Sequence, residues 1–148
     1  MNIATLNTAM RAAITGYAAT LNAWAQSKYT KNHTLIVRAD MRDSPGEDEC
    51  PCCAFTPANR EASQENRIAY YTFGLDVMVF DDTVNGFTNL ETYRKHLQDI
   101  LVATAATNDL VVVDIAVAYD IEDAFPFLWC GMQVKFKETF VIGQNPIE

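Results

Sequence analysis

The segment RIAYYTFGLDVMVFD, residues 67–81, carries the most regular pattern in the chain. Large apolar side chains occupy every second position from Tyr71 onward, and a set that includes Tyr70, Asp76 and Met78 occupies the positions between them. Successive side chains of a β-strand point to opposite faces, so strict alternation is typical of a strand whose two faces differ. The pattern predicts a long strand with one buried face and one more polar face.

Helical periodicity appears on both sides of this strand. Residues 5–27 form one predicted amphipathic helix, whose stripe recurs every three or four residues: Leu6, Met10, Ile14, Tyr17, Leu21 and Trp24. A second helix is predicted to start at Thr88, which forms a capping-box pattern with Glu91. Its predicted buried stripe is Leu90, Tyr93, Leu97, Ile100, Leu101 and Thr104.

Four further strands complete the predicted fold, at residues 34–40, 50–55, 110–119 and 128–140. The strand at residues 50–55 is expected to be a short edge strand, because it is bounded by Pro51 and Pro57. The strand at residues 110–119 has three valines near its start, which predicts that this part is buried on both faces. The last two are close enough in sequence to form an antiparallel hairpin through residues 120–127. The expected class is α+β, with an antiparallel or mixed sheet of about four to five strands and two helices on one face.

Length and charge limit the classes of function. The chain has 148 residues, of which 49% are hydrophobic, and this predicts one folded domain over residues 1–148. Eleven basic against 19 acidic residues give a net charge of −8, with no basic run. Phosphate-binding surfaces need local positive charge, so specific nucleic-acid binding is not expected. The sequence also lacks a signal-peptide pattern and any apolar stretch of membrane-spanning length.

No motif predicts a catalytic, cofactor-binding or metal-binding site. Cys50, Cys52 and Cys53 lie close together, but with Cys130 they lack the paired knuckles that structural zinc sites use. We expect them to be free thiols buried in strands. His33 and His96 have no metal-ligand spacing, and the carboxylates near strand ends are typical of turns.

Two segments and the terminal strand pair resemble a known family. The segments are CPCCAFTP, residues 50–57, with its flanking prolines, and AYYTFGLDVMVFD, residues 69–81, a long strand leading into a loop and a helix. In this element order the chain resembles the tail terminator and tail completion proteins of long-tailed phages. The resemblance covers most of the chain and lies in element order and strand character.

The resemblance implies a non-enzymatic virion assembly subunit. Such a subunit forms a ring, commonly a hexamer, which caps the head-proximal end of the tail tube and joins it to the head. The implied partners are further copies of the chain, the tail tube protein and head–tail connector proteins, with no membrane and no cofactor. DNA would pass through the lumen without specific binding, and an acidic subunit suits such a channel. Assembly would take place in the host cytoplasm.

A ring needs two different contact patches on each subunit. We expect one on the polar face of the long strand, with Tyr70 and Met78, and one at the 120–127 loop together with the first helix, with Asp120, Phe125 and Phe127. Two alternatives stay open. One is a head–tail connector or neck subunit of similar size, and the other is a small metal- or ligand-binding protein that uses the cysteine cluster.

Overall fold

The computed structural model describes residues 3–29, 35–38, 41–63 and 68–139. It contains three α-helices and five β-strands, so the predicted α+β class is confirmed. In chain order the elements are α1 (Ile3–Gly16), α2 (Ala18–Tyr29), β1 (Ile36–Arg38), β2 (Cys52–Ser63), β3 (Ile68–Phe80), α3 (Gly86–Thr107), β4 (Leu110–Asp120) and β5 (Phe127–Thr139). A single 3-10 turn, Glu47–Glu49, precedes β2.

The five strands form one mixed sheet in the order β1-β2-β3-β5-β4. Only the β1–β2 pair is parallel. β3 lies in the centre and pairs with β5 along its whole length, from Ile68 opposite Thr139 to Phe80 opposite Phe127. β4 and β5 form the expected hairpin, so the chain returns to the centre of the sheet and leaves β4 at an edge.

The helices cover one face of this sheet. The alternate β3 side chains from Tyr71 to Val79 are buried there, as the sequence pattern predicts. Phe73 lies between two other aromatic rings, with centroids 5.4 Å from Phe55 and 6.1 Å from Phe136. Aromatic side chains bury large apolar areas, so this row is the centre of the core.

The first helical segment is two helices rather than one. α1 ends at Gly16 and α2 begins at Ala18, with the amide of Tyr17 donating to the carbonyls of both Ala13 and Ile14. Glycine is a poor helix former, which favours a break here. Tyr17 is 52% exposed and does not belong to the buried stripe, whereas Leu6, Met10, Ile14 and Leu21 do.

The prediction for the second strand was wrong in length and position. β2 has 12 residues and lies between β1 and β3 rather than at an edge. It continues through Pro57 because the register with β3 shifts between Pro57 and Asn59. A bulge of this kind accommodates a residue that cannot donate a ladder hydrogen bond.

Two predictions around the last helix were also wrong. α3 begins at Gly86 with Asn85 at its N-cap, so Thr88 is not the capping residue. The start of β4 is not buried on both faces, because Val111 is 65% exposed and Val113 is 45% exposed. A valine run is compatible with a buried strand and with an edge strand, and the connectivity places β4 at the edge.

Candidate interaction surfaces

The face of the sheet opposite the helices has no covering element within the described part of the chain. We call it the open face. Tyr70 and Met78 both point to it from β3, as predicted. Met78 is only 9% exposed, since it packs with Cys50 and Cys52 in a small cluster beside β1. Tyr70 is half-buried, and Lys135 Nζ lies 4.7 Å from its ring centroid. A lysine over a tyrosine ring is a favourable cation–π contact.

A shallow groove of about 460 Å³ crosses the middle of the open face. Small side chains from four strands line it, namely Thr56, Gly74, Ala116, Ala118 and Gly131. Its large residue is Trp129, whose indole lies over Gly131, since a Cβ at Gly131 would be 2.8 Å from Trp129 Cζ2. The small residues therefore leave the backbone accessible at the centre of this face.

Asp76 is the carboxylate of this groove. Burial raises its pKa, and a hydrogen bond from the side chain of Trp129 partly opposes this effect. Desolvation disfavours the charged form of a carboxyl group, so an ionised Asp76 costs folding free energy unless a cation approaches it.

At one end of the sheet, Asp81 holds together the loops after β3 and before β5. Its carboxylate is 4% exposed and accepts hydrogen bonds from Thr83 Oγ1 at 2.6 Å, Asn89 Nδ2 at 2.8 Å and Tyr29 Oη at 3.1 Å. Burial alone would raise the pKa of Asp81, but these bonds and the Thr83 amide lower it overall. Its own amide donates to the carbonyl of Pro126 at 2.9 Å. Asp81 is therefore a structural carboxylate.

Exposed apolar side chains are concentrated at this same end. Of the eight large hydrophobic residues exposed in the described chain, five lie here: Val84, Phe87, Tyr119, Ile121 and Phe125. We call these five residues the apolar end. The rings of Phe87 and Tyr119 are 5.2 Å apart, so residues from α3 and β4 form one surface. Clustered exposed apolar residues are typical of contact surfaces, whereas single ones are not.

The structure brings only part of the predicted loop patch to this surface. Phe125 is 58% exposed. Asp120 instead caps the loop, accepting hydrogen bonds from the amides of Glu122 and Asp123. Phe127 is half-buried with its ring 4.9 Å from that of Phe80. Sequence reasoning missed Val84 and Tyr119, and the ring partner of Tyr119, Phe87, is distant in sequence.

The expected contribution of the first helix, residues 5–27, to this patch stays a prediction. Tyr29, at the end of α2, reaches the loops through its hydrogen bond to Asp81. α1 instead packs on α3 and β2.

The apolar end and the opposite part of the open face differ in charge. Asp82, Asp120, Glu122 and Asp123 surround the apolar end, and neither lysine nor arginine occurs in residues 79–93 or 117–134. Lys135 and Lys137 follow on β5, beside Thr72 and Tyr70 of β3. We call Tyr70, Lys135 and Lys137 the basic corner. Asp114 of β4 lies opposite Lys135, and Glu61 of β2 lies opposite Tyr70. The protein therefore carries an acidic apolar surface and, at a different place on the sheet, a corner where two lysines lie beside two carboxylates.

All four cysteines are buried thiols that form no disulfide, as expected. Burial raises the pKa of Cys53 and of Cys130 to about 12. A hydrogen bond from Cys50 lowers the pKa of Cys52. Among the described residues, no group of three or more cysteine, histidine or acidic side chains could hold a metal ion.

His96 lies half-buried beside Trp24, with ring centroids 6.2 Å apart, and His33 lies outside the described residues. Asp114 is exposed.

No described helix is long and apolar enough to cross a membrane. No protein-family model matches the chain, and no curated protein matches it either.

Proposed function

We propose that this protein is a non-enzymatic, ring-forming assembly subunit, and specifically a tail terminator that caps the head-proximal end of a phage tail tube. The observation that carries the proposal is the pair of unlike surfaces on one subunit. The apolar end is acidic, and the basic corner presents two lysines beside an aromatic ring.

Unlike surfaces favour head-to-tail association. A two-fold dimer through the apolar end would bring four acidic side chains of one copy against the same four of another. Like charges placed together disfavour such a contact. Contact between the apolar end of one copy and the basic corner of the next pairs opposite charges, and repetition of a head-to-tail contact gives a ring when the rotation closes.

The overall charge is consistent with a ring around DNA. A subunit with a net charge of −8 provides a lumen wall that repels phosphate rather than binds it. The proposed location is accordingly the head-proximal end of the tail, with the tail tube protein and head–tail connector proteins as partners.

The decisive experiment measures the mass of the purified protein by light scattering and its shape by electron microscopy, alone and with tail tubes from the same source. A terminator is expected to form rings that bind one end of a tube and stop its growth. Rings that ignore tubes but bind a portal would instead identify a connector. A monomer that binds neither would refute the proposal.

Interface variants test the two surfaces directly. Phe125→Ala is expected to weaken association at least about tenfold without lowering the melting temperature, because the side chain is exposed in the subunit. Tyr17→Ala is the matched control, since Tyr17 is similarly exposed but lies at the α1–α2 break on the helical side. Equal effects of both variants would exclude the apolar end as a contact.

Charge reversal tests the pairing of the surfaces. Lys137→Glu is expected to weaken association, and Asp123→Lys in the same chain is expected to restore part of it. Failure of the second change to restore any association would show that these two surfaces do not meet.

A further inference from the structure

β4 is a long edge strand with one strand neighbour. Ten of its 11 residues pair with β5, and in the described part of the chain β5 is its one neighbouring strand. The backbone groups along its other side therefore have no strand partner there. Such a row of donors and acceptors is a template for an added strand.

This edge has few of the features that usually prevent strand addition. It contains two acidic residues but no lysine, arginine or proline. The register with β5 shifts between Val112 and Asp114, and a bulge of this kind disturbs the edge locally. The seven residues from Asp114 to Asp120 keep regular pairing with β5 and form the free regular edge.

The chain itself supplies a suitable strand. Nine residues, FVIGQNPIE, follow β5, and the first three are uncharged and of high β-propensity. β5 ends at Thr139, next to the beginning of β4, because Glu138 is paired with Leu110. Pro146 cannot donate a ladder hydrogen bond, so pairing is expected to involve the residues before it.

The apolar triplet cannot reach the regular edge of its own copy. A strand added outside Asp114 would lie three residues along the sheet and two strand spacings across it from Glu138. The straight-line distance between the two positions, through β4, is roughly 14 Å. Ile142 is four residues from Glu138, which allows at most about 14 Å when fully extended. A path around β4 is longer, so the occupant must come from another copy.

We infer that residues 140–142 of one copy add a strand to the Asp114–Asp120 edge of β4 in the next copy. The inference deepens the proposed function, and it rests on that function only for the closure of successive exchanges into a ring. Each subunit gives a strand at one place and receives one at another, which is again a head-to-tail contact.

Cysteine crosslinking tests the contact. Two versions of the chain are co-expressed and mildly oxidised. One carries Ala116→Cys and a first affinity tag, and the other carries Ile142→Cys and a different tag. A disulfide-linked product with both tags is the expected result, and the four native thiols are buried. Ala116→Cys with Tyr17→Cys is the control pair. Absence of the mixed-tag product, or no excess over the control pair, would overturn the inference, as would efficient crosslinking within a chain that carries both substitutions.

A proline pair in the intact chain gives a second measurement. Ile142→Pro removes a backbone donor inside the added strand and is expected to weaken association at least tenfold. Ile147→Pro makes the same change beyond Pro146 and is expected to have no effect. Both variants should keep the subunit's melting temperature. Equal association of the two variants would overturn the inference.

The outcomes separate the inference from the proposed function. Tube-capping rings that form without the mixed-tag product would leave the function in place and overturn the strand exchange. A mixed-tag product from a protein that neither forms rings nor binds tubes would leave the exchange in place and refute the function.

Discussion

The two faces of the sheet use the same strands for different purposes. On the helical face, Tyr71, Phe73 and Leu75 are almost fully buried under three helices. On the open face, their neighbours Thr72, Gly74 and Asp76 are partly exposed. The helical face supplies the core of the protein, and these small or polar residues of β3 lie where no described helix packs.

This difference teaches that the residues that stabilise the fold and the residues proposed to make contacts lie on opposite faces of the sheet. Aromatic rings stack on the helical face, whereas the open face carries the glycine-lined groove, the partly buried carboxylate of Asp76 and the basic corner. Substitutions on the first face should change the free energy of unfolding, and most substitutions on the second should change association instead.

The strongest test compares adjacent residues of β3. Phe73→Ala removes a ring packed between Phe55 and Phe136 and is expected to lower the free energy of unfolding by about 3–5 kcal/mol. Thr72→Ala, on the open face, should stay within about 0.5 kcal/mol. Denaturant unfolding measures both, and similar midpoints would contradict the assignment of the two faces.

Asp81→Asn tests the buried carboxylate at the end of the sheet. The change disturbs several hydrogen bonds and is expected to cost about 1–3 kcal/mol. Because the pKa of Asp81 is lowered in the folded state, its contribution is present above pH about 4 and is lost as the pH falls through the folded pKa.

Unfolding of wild type and Asp81→Asn between pH 7 and pH 2 measures this loss. The two curves should converge at low pH. Asp82→Asn, at an exposed neighbour, is the control, and an equal acid dependence in Asp81→Asn and wild type would show that Asp81 makes no such contribution.

The two glycines of the open face should respond differently to alanine. Gly131→Ala places a Cβ 2.8 Å from the Trp129 ring and is expected to cost about 1–3 kcal/mol. At Gly74 the nearest atom is Thr56 Oγ1 at 3.4 Å, so Gly74→Ala should be neutral or slightly stabilising. Addition of Trp129→Leu should relieve most of the cost at position 131 in a double-mutant cycle. Strictly additive effects would exclude a clash with the ring.

Asp76→Asn should have the smallest effect and the opposite sign to Asp81→Asn. Burial raises the pKa of Asp76, so its ionised form disfavours the folded state above that pKa. The variant is expected to be more stable at pH 7, on the order of 0.5 kcal/mol. This advantage should disappear as the pH falls below about 4, where the carboxyl is protonated in both states. Chemical denaturation at pH 7 and at pH 3 measures it, and a destabilised variant at pH 7 would contradict the assignment.

Local patterns correctly predicted several parts of the fold. The alternation over β3, the buried stripe of α3 and the β4–β5 hairpin are all properties of short segments. The structure confirms them, except that Thr104 of the predicted stripe is only partly buried and Ala105 is buried instead. The candidate surface was predicted less well. Phe125 is exposed as expected, but Met78 packs beside Cys52 and Asp120 caps its own loop.

What the sequence determined by itself is the helix or strand character of each main segment and the faces that β3 and α3 bury, because side-chain periodicity follows directly from backbone geometry. Only the tertiary structure decided where each strand lies in the sheet. The lengthened β2 lies inside the sheet, and the valine-rich β4 lies at its edge. The tertiary structure also decided that residues from α3, β4 and two loops form one apolar end. Both outcomes depend on contacts between segments far apart in sequence, which no local pattern specifies.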